Sequence, residues 1–309
     1  MSADKLGGVL DAAGADAWVH AREIDGDREV GLGEDELVVQ ASIFKIGIAL
    51  ELFRQAEKGR IDAAERMHLR PGESAPGPTG LSNARDEVEI SLRDCAYLML
   101  TISDNAATDA VLERVGIDHV SAMLRELGLQ KTTILGGCRA ILDSVAADLG
   151  YKTWRSAEQA YAEMTPAELA EAARHRPPLR ATDPDTATRT TPRETTALLT
   201  AIWRDEAGPT QACVEVRQLM AQQLTRHRIA SAFPSDVLVS AKSGSLFGEI
   251  RNEAGVAEYP DGGRYAVAVF TRSRSRDPRQ PAIDAAIGET AHLAVELLRA
   301  DAASGKRPA

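Results

Sequence analysis

Cysteine is scarce in this chain. Three are present in 309 residues, Cys95, Cys138 and Cys213, with no CxxC pair and an odd total. That excludes a disulfide frame and reads as buried thiols of a reducing compartment. No metal-ligand spacing links the six histidines, and the repeated RHR at 174–176 and 226–228 reads as surface charge. Neither a metal nor an organic cofactor is expected.

A basic face is also missing. The formal charge is -10, so nothing offers the positive surface that a nucleic-acid partner needs. The arginine-rich TRSRSRDPR at 271–279 is the one candidate patch and reads as a solvated loop. Long apolar runs are absent too, which leaves no membrane span. The N-terminal MSADKLGGVLDAAGADAWV carries acids and glycines where a secretory leader needs an apolar core. The expectation is a cytoplasmic chain, unless a leader has been removed, with a monomer as the favoured state.

What is present is core. With 44% hydrophobic and 27% charged residues, the chain can build one large domain or two smaller ones. DAWVHAREI and DELVVQA read as strands around DGDREVGLGE, with Asp25-Gly26 suited to a tight turn. A helix is expected from about Ser42 to Lys58, then a loop, PGESAPGPTG, at 71–80. Ser91, Asn105 and Asp118 can cap the next three helices, with Gly116 and Gly128 as stops. Residues 140–176 are alanine- and glutamate-rich and helical, and Pro192 fits the first turn of a helix through Trp203. After residue 235 the period changes to two. VLVSAKSGS, RNEAGVAEY and RYAVAVFTR read as antiparallel strands, followed by a closing amphipathic helix.

Strands at both ends around a helical middle imply an α/β fold with an all-α insertion. Its antiparallel sheet is assembled from both termini and flanked by helices. The expected division is 1–41 with 222–309 as the α/β domain and 42–221 as the helical domain. A cleft lies between them, and a disordered tail covers 302–309.

Three short stretches carry chemistry. In QASIFKIGIALELF, Ser42 and Lys45 lie one turn apart, on one face. A serine hydroxyl is a poor nucleophile until a neighbour takes its proton, and a lysine desolvated among Ile43, Phe44 and Ile46 can be that base. TISDNAATDAVL sets Ser103, Asp104 and Asn105 between two helices, and SAKSGSLFGEIRNEAGV sets Lys242, Ser243 and Gly244 on a strand. Taken singly, SDN is a helix-capping turn and KSG a strand end. Their order along the chain argues for a site.

Together they resemble the class A β-lactamases and the wider superfamily of penicillin-recognising serine hydrolases, whose signatures are S-x-x-K, S-D-N and K-T-G. The resemblance covers nearly the whole chain. It implies Ser42 as nucleophile, Lys45 as its base, Ser103 passing a proton toward the leaving nitrogen, and Lys242 polarising that transfer. It also implies substrate contacts from Asn105, Ser243, Gly244 and Ser245, with backbone N–H groups of Ser42 and Ser245 forming the oxyanion hole. Arg251 falls where such enzymes keep an arginine for the substrate carboxylate.

Two departures qualify the match. Serine replaces threonine in the third motif and keeps the hydroxyl. More seriously, the E-x-x-L-N segment, whose glutamate activates the deacylating water, has only PAELAEA as its nearest match, with Pro166 at the glutamate position. Glu163, Glu168 and Glu171 could reach the site from a reshaped loop, but helix-surface charge suits them better. The resemblance therefore implies a hydrolase that opens β-lactams or related amides through an acyl-serine, with slow deacylation. Two alternatives stand beside it: a DD-peptidase, esterase or acyltransferase on an intracellular substrate, and a catalytically silent binding protein.

Overall fold

The computed structural model describes residues 2–304. It opens with helix α1 (Ser2–Ala12), which sequence patterning did not anticipate. Gly7 and Gly8 lower its intrinsic propensity, but Leu6 and Leu10, one turn apart, are fully buried, and that packing prevails. Strand β1 (Ala15–Glu23) turns through Asp25-Gly26 into β2 (Glu29–Leu32). The returning strand thus lies inside DGDREVGLGE rather than in DELVVQA. From the latter, β3 (Val38–Val39) leaves the sheet and pairs with Arg189–Thr190.

A 3₁₀ turn, Ala41–Phe44, then leads into α2 (Lys45–Glu57), where a single helix from Ser42 was expected. Strands β4 (Arg66–Leu69) and β5 (Val88–Ser91) pair around the 71–80 loop. Helix α3 (Leu92–Thr101) is capped by Ser91 as expected, with Asp94 N–H donating to its Oγ at 3.2 Å. Helix α4 (Asn105–Val115) is capped by Asp104 instead of Asn105, which becomes its first residue. Gly116, at φ 86°, stops it and starts α5 (Ile117–Glu126), so Asp118 sits in the first turn and caps nothing. Helices α6 (Cys138–Asp148), α7 (Trp154–Ala162) and α8 (Pro166–Arg174) occupy the alanine-rich stretch. After β6 (Arg189–Thr190), Thr191 caps α9 (Pro192–Trp203), with Pro192 in the first turn. Helices α10 (Thr210–Ala221) and α11 (Ile229–Ala232) lead to β7 (Leu238–Leu246), β8 (Ile250–Glu258), β9 (Arg264–Ser273) and α12 (Pro281–Ser304). The tail expected from 302 onward begins as the last turn of α12, and beyond Ser304 it lies outside the described residues.

The main sheet runs β2-β1-β9-β8-β7, antiparallel at every pairing, so both termini contribute strands and β7 forms one edge. This is the expected antiparallel sheet assembled from both termini and flanked by helices. One face packs Val19, Val267 and Val269 against Leu10, Ile287 and Val295 of α1 and α12. The other packs Val256, Ala268 and Phe270 into a core shared with α2, α3, α4, α9 and α10. Helices and sheet therefore share one hydrophobic interior. Among the described residues no helix is long and apolar enough to cross a membrane.

His20 ties β1 to α9. Its Nδ1 lies 2.6 Å from Thr196 Oγ1, Thr196 Oγ1 donates to Arg193 O at 3.0 Å, and Arg193 Nη1 faces His20 Nε2 at 3.3 Å. The ring closes only with a neutral imidazole that donates from Nδ1 and accepts at Nε2. Burial, helped by the charges of Arg193 and Arg22 and opposed by Glu29, lowers its pKa to about 4 from 6.5. An unfolded chain binds this proton from about pH 6.5 downward while the folded one refuses it until about pH 4. Stability is therefore lost across that window as pH falls, by about 2–3 kcal/mol. Urea unfolding at pH 7 and pH 4.5 tests this. The wild-type loss should exceed that of His20→Gln, and equal losses would remove His20 as the source.

Candidate active site

The segment before the proposed nucleophile is pinned on two sides. Gln40 N–H donates to Thr188 O at 3.0 Å, and its side chain donates to Arg189 O at 2.7 Å. Asn252 of β8 donates to Val39 O at 2.8 Å. Between these anchors Ala41 takes φ 48°, a left-handed conformation that a non-glycine residue rarely adopts. The chain thereby enters the 3₁₀ turn with half-buried Ser42 facing β7. In a 3₁₀ turn, residues three apart eclipse, so Ser42 and Lys45 share one direction. A Cβ added at Gly244 would come within 3.0 Å of both Ser42 N and Gln40 O. Only glycine lets β7 approach this closely.

Lys45 is wholly buried. Its Nζ donates to Ser103 O at 2.7 Å and to Asn105 Oδ1 at 2.9 Å, with Ser103 Oγ at 3.2 Å. Ser103 can offer both oxygens because its backbone is left-handed, at φ 61°. Asp104, fully buried, stabilises that turn by capping α4 and by accepting from Leu81 N and Ser82 Oγ. The Asn105 amide is fixed at its other end, where Nδ2 donates to Pro76 O at 2.9 Å. All three SDN residues thus serve the lysine or its frame.

Lys242 of β7 is also wholly buried, and its Nζ donates to Ser243 O at 2.8 Å. Burial, then the charge of Lys45, holds its pKa well below the usual 10.5. Ser243 N–H turns away from β8 to Gln223 Oε1. Period two then puts Ser245 N–H on the same outer side of this edge strand, free for an oxyanion. Ser42, Lys45, Ser103, Asn105, Lys242, Ser243, Gly244 and Ser245 therefore converge.

Arg251 does not join them. It stands opposite Ser245 in the ladder, but its guanidinium is paired to Asp284, at 3.0 Å from Nε and 2.6 Å from Nη2. The arginine that reaches the cleft strand is Arg228, from the second RHR. Far from being surface charge, it is 3% exposed. It donates to Ser245 Oγ at 2.8 Å and to Gly244 O at 3.1 Å while also pairing with Asp284.

The three cysteines are free and buried, as expected. Cys138 adds something that the sequence did not reveal. At the first turn of α6, its thiol lies close enough to Lys45 and Lys242 for their charges to act on one another. Burial pushes the thiol pKa up despite the pull of Lys45. Asp109 anchors this helix start, accepting from Cys138 N at 2.5 Å and Arg139 N at 2.9 Å. PAELAEA, by contrast, forms α8 on the surface. Glu168 closes a capping box with Thr165, Glu171 faces His175 at 2.7 Å, and Glu163 is exposed. The only available signal was indirect: Cys138 begins the helix after a Gly-Gly pair.

Comparison with known proteins bears on the family and the fold. Residues 2–297 match the Beta-lactamase enzyme family. The chain is 31% identical over 292 residues to the β-lactamase regulatory protein BlaB of Streptomyces cacaoi, covering 90% of this chain and 91% of that one. Among solved structures, an ancestral class A β-lactamase (GNCA) aligns at TM-score 0.75 and 20% identity, over 96% of this chain and 100% of its own. A mutant of PBP-A, described as an acyl-enzyme complex with penicillin G, aligns at 0.72 and 20%, over 96% of both chains. The structural likenesses speak to the fold, whereas the sequence match spans nearly the whole length, and on that ground this chain belongs to the β-lactamase enzyme family.

Proposed function

We propose that the protein is a serine acyl-transfer enzyme that opens β-lactams or related amides and releases the acyl group slowly. One observation carries this reading: Lys45 is buried, held by Ser103 and Asn105, and stands one turn from Ser42. Ser42 Oγ attacks the carbonyl carbon and gives its proton to Lys45, which acts as the neutral amine in this step. The oxyanion is held by the N–H groups of Ser42 and Ser245. Lys45 then returns the proton to Ser103 Oγ, 3.2 Å away, as Ser103 hands its own to the departing nitrogen. Lys242 favours that transfer electrostatically, and an acyl-Ser42 ester remains with Lys45 neutral again. A substrate carboxylate would meet the Ser243 and Ser245 hydroxyls, with the Arg228 charge behind them, a task assigned from sequence to Arg251.

Hydrolysis of the ester needs a water and a base. The nearby carboxylates are already engaged, Asp109 by two backbone N–H groups and Glu253 by Ile229 N and Gln223. The group facing Lys45 from α6 is Cys138, a buried thiol that stays neutral at neutral pH. A neutral thiol is a poor base, which supports slow turnover. A second reading follows from that slow step. A protein that stays acylated reports a β-lactam instead of destroying it, and the relative described as regulatory favours this role.

Intact mass spectrometry minutes after mixing with penicillin G should show an adduct on most molecules. Ser42→Ala should show none while remaining folded, and full labelling of that variant would sink the assignment. A chromogenic β-lactam assay beside a p-nitrophenyl ester assay separates lactam opening from esterase activity. Cys138→Glu should shorten the adduct lifetime by about 10²-fold or more by supplying a base. An unchanged lifetime in a folded Cys138→Glu protein would show that the block lies elsewhere.

Buried Lys242 opposes folding, because the unfolded chain keeps its proton up to 10.5 while the folded chain gives it up earlier, so stability rises with pH across that interval. Lys242→Met should abolish acylation yet raise stability at neutral pH by about 1–3 kcal/mol, with a flatter pH profile in thermal melts. A destabilised variant would refute the idea that Lys242 is kept at the expense of stability.

A further inference from the structure

We infer that α6, α7, α8 and the turn after β7 enclose a second small-molecule site, separate from the acyl-transfer centre, which takes a compact aromatic carboxylate. The cavity holds about 300 Å³ and is walled mainly by apolar side chains, among them Leu149, Trp154, Tyr161 and Phe247. That volume lies at the small end of the range for ligand pockets, enough for one substituted ring. Trp154 and Phe247 stand 5.7 Å apart, tilted at 53°, a geometry that offers ring faces and edges to a third aromatic group.

Charge sets the polar end. Arg176 and Arg276 both line the cavity, and both pair with Glu249, at 2.8 and 3.0 Å. Two guanidinium groups thus share one carboxylate. Glu158, the acid of the lining, is solvent-exposed and screened. Arg176 Nε is buried and has no hydrogen-bond partner among the described residues. A buried donor without an acceptor is costly to leave, and a ligand carboxylate supplies both the acceptor and the charge.

The site also adjoins the cleft strand. Phe247 follows the last residue of β7 and holds φ 48°, with the Arg176 guanidinium 5.8 Å from its ring centre. A ring stacked on Phe247 therefore bears on the chain that leaves Ser245 and Leu246.

The probe is 4-trifluoromethylbenzoate, followed by ¹⁹F NMR and by the fluorescence of Trp154 in the full chain. Saturable binding is expected, with quenching that disappears in Trp154→Phe. Ala172→Phe, which fills the space, and Arg176→Gln, which removes the donor charge, should each weaken binding about tenfold. Arg176→Gln keeps the test open if Ala172→Phe fails to fold. Penicillin G should not displace the probe. Displacement by penicillin G, equal affinity in both variants, or no saturable binding would each overturn the inference. None of these readouts requires Ser42 to be acylated, so failure here and failure of the acyl-transfer reading are distinguishable.

Discussion

The hydrogen bonds from Lys45 Nζ to Ser103 and Asn105 set the terms for everything around them. A wholly buried amine is tolerated only where fixed acceptors replace water. Fixing them makes Ser103 left-handed, and that turn needs Asp104 buried beneath it as cap and brace. Asp104 in turn draws in Leu81 and Ser82, and Asn105 draws in Pro76. A loop rich in glycine and proline is thereby ordered by a lysine on another element.

On the opposite wall the arrangement is inverted. Among the described residues Lys242 has only its neighbour's carbonyl oxygen at hydrogen-bond distance, and it feels Lys45 as a like charge. Arg228 adds a third cation behind the strand, balanced by Asp284 and Glu253. Asp109 stands near Lys45 and Glu253 near Lys242, so each wall sets a carboxylate close to its lysine.

Legibility from sequence followed locality. Period-two strands after residue 235, the Ser91 cap and the Pro192 helix start depend on near neighbours, and they stand where they were expected. The three candidate-site motifs were legible because each is short. Cys138 was not, because Lys45 and Lys242, whose charges act on it, belong to distant elements. Arg228 was mistaken for surface charge because burial beside Asp284 is a tertiary fact. Arg251 had the right register and the wrong partner. Helix α1 was obscured by two glycines whose local cost is outweighed by docking on the sheet.

The pairing of β1 with β9, Ala15 against Ser273, has a consequence for biogenesis. Strand β1 must wait for β9, the last strand of the sheet, while α2 to α6 can gather through contacts made earlier. Such long-range closure is slow and leaves strand edges exposed in the interval. Ser42 follows one early strand and Lys242 lies on a late one, so the two halves of the site meet only when this closure is complete. In a nascent chain the candidate site is therefore unassembled until the sheet is whole.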